Sequence, residues 1–203
     1  MPGAARGGIL KTVVVDRSFF KMRNGIWDRS SVPADATVIV KRVEGFSKTA
    51  YDDNGKRRGG TWTIGYGATK DARGKRVKAS TPDVTEAEAA ALLVRDMAGA
   101  ARGVARRVTV ELTERQAAAL VSWVYNLGEG NLAKSTLLRR INAGVFTDVP
   151  GQMRRWINHE GKPLVGLLRR RWAEAAIFEG LDAERAVTRA WAEIDGLKDW
   201  PRF

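Results

Sequence analysis

The spacing of apolar positions changes rhythm along this chain. After Ser30-Ser31 and Pro33, apolar residues recur at Ala36, Val40 and Val43, at intervals of four and three. That pattern predicts a helix with Pro33 in its first turn, Glu44 in its last and Gly45 as its stop. From Tyr51 to Gly67 the pattern shifts to turn residues (Asp52-Asp53-Asn54-Gly55, Arg58-Gly59-Gly60) and β formers (Thr61-Trp62-Thr63-Ile64). A short hairpin is predicted there, with Asn54-Gly55 as a tight turn. Beyond Ser80-Thr81-Pro82 the pattern is helical almost throughout. Thr85-x-x-Glu88 and Thr113-x-x-Gln116 are capping boxes, the first ahead of Ala89 to Met97, the second ahead of Leu120, Trp123, Val124 and Leu127. Gly128-Glu129-Gly130 stops the second run, and further helices are expected around 136–141, 153–156 and 167–178. Val187, Trp191 and Ile194 then fall on one helical face, a tail that docks on the domain; its balanced charges argue against a membrane-disrupting helix. Before all of this, Val13-Val14-Val15, Arg23-Asn24-Gly25 and Ile26-Trp27 suggest a strand, a turn and a strand.

A chain of 203 residues can bury one sizeable core or two small lobes that share one. Composition adds two constraints. Thirty-five Lys and Arg against 23 Asp and Glu give a net charge of +12, which attracts polyanions such as nucleic acid, an anionic membrane face or acidic envelope polymers. No cysteine and a single histidine, His159 in a polar loop, exclude disulfides and leave no plausible His or Cys metal cluster, so neither metal nor cofactor is expected. The most apolar early stretch, Ile9 to Val15, is broken by Lys11 and Thr12 and is too short for a signal-peptide core or a membrane span.

Two kinds of carboxylate then stand close in sequence: Glu44 at a helix end, and Asp52 and Asp53 in the turn that follows. A general acid and a water-activating carboxylate roughly 6.5 to 9.5 Å apart are what inverting glycoside hydrolysis needs. The acid should be partly enclosed, here by Phe46 and Tyr51, so that it stays protonated, while its partner stays solvated. Thr63 offers a hydroxyl that can hold the attacking water, and Gly65-x-Gly67 lets a polymer approach the backbone. On spacing alone the plainer reading, exposed acids around a hairpin, is favoured, because a Glu, an Asp and a Thr within 20 residues occur by chance in most proteins.

The run Glu44-Gly45-Phe46, Ala50-Tyr51-x-Asp53, Trp62-Thr63-Ile64-Gly65-Tyr66-Gly67-x-Thr69 resembles the active-site signature of the phage-type lysozymes, glycoside hydrolase family twenty-four. A second block, Gln116-x-Ala118-x-x-x-Ser122-Trp123-x-Tyr125-Asn126-Leu127-Gly128, then Ser135 to Arg139 and Ile141 to Gly144, agrees with it. So does a third, Gly166-Leu167-x-x-Arg170-Arg171-x-x-Glu174. The resemblance covers residues 36 to 180. It implies an α+β, two-lobe fold with a small β-containing lobe (about 45–80), a larger helical lobe (about 81–180) and the active-site cleft between them. On that reading residues 34–180 form the catalytic domain, 1–33 a basic N-terminal extension and 181–203 a helical tail.

The resemblance further implies cleavage of the β-1,4 bond between N-acetylmuramic acid and N-acetylglucosamine in peptidoglycan. Glu44 would be the general acid, Asp53 the carboxylate for the water and Thr63 the positioning hydroxyl; the family's spacing selects Asp53 over Asp52. Tyr51, Gly65, Tyr66, Gly67 and Asn126 would border the substrate, Asn126 either facing the cleft or capping its helix. Trp123 and Tyr125 are expected in the core. Three departures stand out: nine residues separate Asp53 from Thr63 where the family usually has five, Ala68 stands where it often has His, and either Arg169 or Arg170 could lie beside the acid. The expected protein is a monomer with no specific nucleic-acid partner, which accumulates in the host cytoplasm and reaches the wall through a holin-type lesion, or else travels with the virion. A lysozyme-like wall-binding module without catalysis, or a basic nucleic-acid-binding helical protein, is the alternative.

Overall fold

The computed structural model describes residues 25–53 and 60–203; the strand expected at Val13-Val14-Val15 and the Asn54-Gly55 turn lie outside the described residues, and at Ile26-Trp27, where a second strand was expected, Ile26 forms only an isolated bridge to Thr113. Helix α1, Ala34–Glu44, carries Asp35 in its first turn and Lys41 and Arg42 in its last, the arrangement that suits the helix dipole. It buries Ala36, Ile39 and Val40, so its inner face is phased differently from the expected one, and Val43 is exposed. Pro33 is the residue before the helix, not part of its first turn, because Ser30 and Ser31 are both held by the Asp28 carboxylate in a preceding turn. Gly45, at φ 71°, ends the helix as expected, with its N–H donating to Lys41 O, and so leaves Glu44 on the final turn.

Strands β1, Ser47–Asp52, and β2, Trp62–Gly65, pair antiparallel with Tyr51 opposite Thr63 and Asp52 opposite Trp62. Their inner face packs Ile64, with Ala50 and Trp62, on Ala68, Val77 and Leu92, a small core separate from the main one. Leu92 belongs to α2, Glu86–Arg107, which therefore joins the lobes. At Gly65, φ is 67° and an added Cβ would stand 2.8 Å from the Cβ of Ala89 on α2. Gly65→Ala is expected to lower stability by ~2 kcal/mol or more, from strain and overpacking together, as read by urea unfolding.

The helical lobe comprises α2, α3 (Glu114–Leu127), α4 (Glu129–Lys134), α5 (Thr136–Asn142), α6 (Val149–Arg154), α7 (Val165–Phe178) and α8 (Ala183–Glu193), with a two-residue hairpin, β3 Asn158–His159 and β4 Lys162–Pro163, before α7. Both expected capping boxes form, at Thr85 with Glu88 and at Thr113 with Gln116. Helix α7 lies at the centre, buried from Arg170 through Phe178 and packed on α3, α6 and α8. The tail is part of this core: Ala183, Ala186, Val187 and Ala190 of α8 are buried in it, and the Trp172 indole N–H donates to Pro201 O at 2.8 Å. Trp27, 4% exposed, joins the same core, and its N–H donates to Leu112 O. Trp123 is fully buried, as the sequence suggested, edge-on to Trp156.

Candidate active site

Glu44 stands where α1 ends, beside an open cavity of about 370 Å³ lined by Glu44, Gly45, Phe46, Ser47 and Tyr51. Its side chain keeps 39% of its surface, yet the protein around it desolvates the carboxyl enough to raise its pKa above the ordinary glutamate value. The nearby Arg170 guanidinium opposes that rise, and the negative charge of Asp53 adds to it. A carboxyl with this balance keeps its proton to higher pH than a solvated glutamate does, which suits an acid.

Cross-strand register distinguishes the two aspartates. Side chains of an antiparallel pair alternate faces, and directly opposed residues share one. Ala50, Trp62 and Ile64 turn to the small-lobe core, so Asp52, opposite Trp62, belongs to that face, and its carboxyl lies against Gly60. Tyr51 and Thr63 share the other face, and the pairing continues one step further, where Asp53 N–H donates to Thr61 O at 3.1 Å. Asp53 and Thr63 therefore look the same way, toward the side where Tyr51 lines the cavity. Thr63 is 4% exposed, and its hydroxyl, buried, has no hydrogen-bond partner among the described residues.

Other candidates are placed less uniformly. Gly67 lies against the acid: a Cβ there would be 3.9 Å from Glu44 Oε2. Gly65 is taken up by its contact with Ala89, and Tyr66 is buried, with its hydroxyl donating to Glu86 Oε1 at 2.9 Å and its ring between Phe46 and Lys41. Both brace the lobe junction, and they back the cavity wall: Gly65 pairs with Ser47 and Tyr66 packs against Phe46, two residues that line it beside Glu44. Ala68, in the position where histidine was noted as usual, is buried and bridges Ile64. Asn126 is exposed at the end of α3, where its side-chain oxygen accepts from Arg171 Nη2 at 2.9 Å. Tyr125, expected in the core, is only half-buried; burial first, then Asp96 and Glu44, raise its phenol pKa. His159 is exposed in the short hairpin, and the described residues hold no group of three or more His, Cys, Asp or Glu suited to a metal.

The arginine beside the acid is Arg170. Its Nη1 approaches Glu44 Oε1 at 3.9 Å, whereas Arg169 turns away to Ile194 O and Asp195. Behind Arg170 lies a buried network that sequence reasoning did not assemble. Arg170 Nε donates to Glu174 Oε1 at 3.2 Å and Nη2 to Ser122 O, while Ser122 Oγ donates to Glu174 Oε1 at 2.8 Å. Arg171 Nη2 donates to Glu174 Oε1 at 3.1 Å, and its Nε lies 2.9 Å from Glu174 Oε2 at an angle poor for a hydrogen bond. Burial, only partly offset by Glu174, brings the Arg171 guanidinium down to about 10, so it remains a cation at neutral pH. The signal was present in Arg170-Arg171-x-x-Glu174, whose i, i+3 and i+4 spacings stack these groups on one face of a helix. A larger cavity, about 490 Å³, opens on the helical lobe by Leu127, Ser135 and Trp156 and contains none of these acids, so size alone does not identify the site.

Comparison with known proteins agrees with this arrangement. The family model described as phage lysozyme matches residues 41–174. The endolysin of Acyrthosiphon pisum secondary endosymbiont phage 1 is 34% identical over 146 residues, covering 70% of this chain and 93% of that protein. The SAR-endolysin of Enterobacteria phage PA-2 is 38% identical over 135 residues, 66% of this chain and 76% of that one. Among solved structures, the endolysin from Escherichia coli O157:H7 phage FAHEc1 superposes with a TM-score of 0.63 at 31% identity, over 73% of this chain and 93% of that chain. The chain belongs to the phage lysozyme family, and it is a glycoside hydrolase, a muramidase that acts on bacterial peptidoglycan in phage lysis of the cell wall.

Proposed function

We propose that the chain cleaves the β-1,4 bond between N-acetylmuramic acid and N-acetylglucosamine with inversion, Glu44 protonating the leaving oxygen while Asp53 activates water on the opposite face of the sugar. The observation that carries this reading is the placement of the partly exposed Glu44 carboxyl at the end of its helix beside the open cavity, 3.9 Å from Arg170 and within the electrostatic reach of Asp53. Thr63 supports it: a buried hydroxyl without a protein partner has a donor and an acceptor to spare for that water. Tyr51 and Gly67 line the sugar path, Asn126 borders it from the helical lobe, and Gly65 and Tyr66 act indirectly by setting the junction. The test is reducing-sugar release from purified peptidoglycan with the product anomer read by NMR. An initial α-anomer supports inversion; retained β-configuration, or no release by folded protein, overturns it. In the latter case the chain is a wall-binding module.

Thr63→Val separates chemistry from stability. It replaces an unpaired buried hydroxyl with a methyl group, so unfolding free energy should hold or rise, while kcat should fall about 10- to 100-fold. Steady-state kinetics and urea melts on one preparation check both halves.

The net charge of +12 concentrates the enzyme at the anionic envelope, acting as a monomer. Turnover on intact walls should then fall as salt rises from 50 to 500 mM, while turnover on a short soluble oligosaccharide changes little. Equal salt responses would rule out charge as the recruiter. Delivery to the wall is through a holin-type membrane lesion, and co-expression with and without a holin, followed by cell fractionation, tests that route.

A further inference from the structure

We propose that Glu174 is a positioning residue for the acid: by holding both buried arginines it fixes how much positive charge Arg170 presents to Glu44. This rests on the reading of Glu44 as the general acid. Arg170, Arg171 and Glu174 are each at most 1% exposed, so two guanidinium charges meet one carboxylate away from water. Such a cluster is costly unless its geometry is held by further hydrogen bonds, and Ser122 and Asn126 supply them.

The fork of Arg170 is divided. Nε faces Glu174 and Nη2 faces Ser122, which leaves Nη1 as the edge turned toward Glu44 at 3.9 Å. At that distance Arg170 is an electrostatic neighbour of the acid and not a close hydrogen-bonding partner. Were its charge uncompensated, it would hold Glu44 ionised and spoil a proton donor; Glu174 takes up most of it, and Arg171 competes for the same carboxylate. The other groups that act on Glu44 come from different elements: Asp53 from the hairpin raises it, and Tyr125 from α3 borders it without charge at neutral pH. Lys41, one turn back on α1, is directed over the Tyr66 ring.

The two partners of this cluster should therefore act in opposite directions. Glu174→Gln removes the compensating charge but keeps the shape, exposes Glu44 to both arginines and favours its ionised form. Arg171→Met removes the competitor, leaves Glu174 wholly to Arg170 and favours the protonated form. The experiment is a carboxyl-carbon NMR titration of Glu44 in protein labelled at glutamate, assigned with Glu44→Gln, alongside the high-pH limb of kcat/KM.

The expected result is a Glu44 midpoint displaced to lower pH by about one unit in Glu174→Gln and to higher pH in Arg171→Met, with the kinetic limb moving in the same sense. Midpoints that coincide with wild type, or shift the same way in both variants, overturn the proposal, since a purely structural role would cost activity and stability without opposite displacements. If Glu174→Gln fails to fold by circular dichroism, Arg171→Met alone decides, because absence of its upward shift is sufficient to reject the idea. The titration does not need turnover: an inactive wild type would refute the catalytic reading while the order of midpoints still reports on the cluster.

Discussion

Glu44→Gln is expected to reduce sugar release from purified peptidoglycan by about 10²- to 10⁴-fold, the range that loss of a positioned general acid produces. Glutamine matches the carboxyl in shape but cannot deliver a proton. Because Glu44 is partly exposed and its ion pair with Arg170 is long, the fold should be nearly indifferent to the change. Asp53→Asn should lose activity over the same range, by failing to accept the proton from water. Asp52→Asn should stay within about threefold of wild type, since register turns Asp52 to the opposite face of the hairpin. The sharpest comparison is thus between adjacent residues of one strand end. Comparable losses at Asp52 and Asp53 would mean that the hairpin face is misassigned.

Trp172→Ala is expected to destabilise the protein by about 3 to 5 kcal/mol, a large part of a typical domain's total of about 5 to 15. Trp172 is fully buried in α7, its indole N–H holds Pro201 O, the Phe203 ring lies 5.4 Å from it and Arg189 of α8 stacks on it. One side chain therefore joins the central helix to the tail. A guanidinium melt should show a single transition at lower denaturant, and limited proteolysis should now cut after Gly180. A loss below about 1 kcal/mol would mean that residues 181–203 contribute little to the core.

The position of Glu44 was legible because a glycine stop fixes where a helix ends, and this holds even though the inner face was phased on Val43 in place of Ile39. The capping boxes were legible for a similar reason: each pairs a short polar side chain with backbone N–H groups three residues on, a local interaction that distant packing does not override. The tail helix was readable from its apolar face. Which arginine meets the acid was not. Arg169, Arg170 and Arg171 are consecutive, each rotated by one hundred degrees or so from the last, and α7 is buried on nearly every side, charged positions included, so sequence offers no apolar stripe by which to phase it. Tyr66 eluded the reading for another reason. An aromatic between two glycines suits a sugar platform as well as a buried strut, and only the partner, Glu86 on a different element, distinguishes them.

The pairing of Asp53 N–H with Thr61 O has a consequence for how this hairpin can be edited. Lengthening the chain between those two anchors costs closure entropy that grows only with the logarithm of the length. Within the strand the rule is one of parity: a single residue inserted between Thr61 and Thr63 would turn the hydroxyl to the lobe interior, whereas a pair would preserve its direction. Added sequence is therefore better placed between those anchors than within β2, where one inserted codon should silence the enzyme.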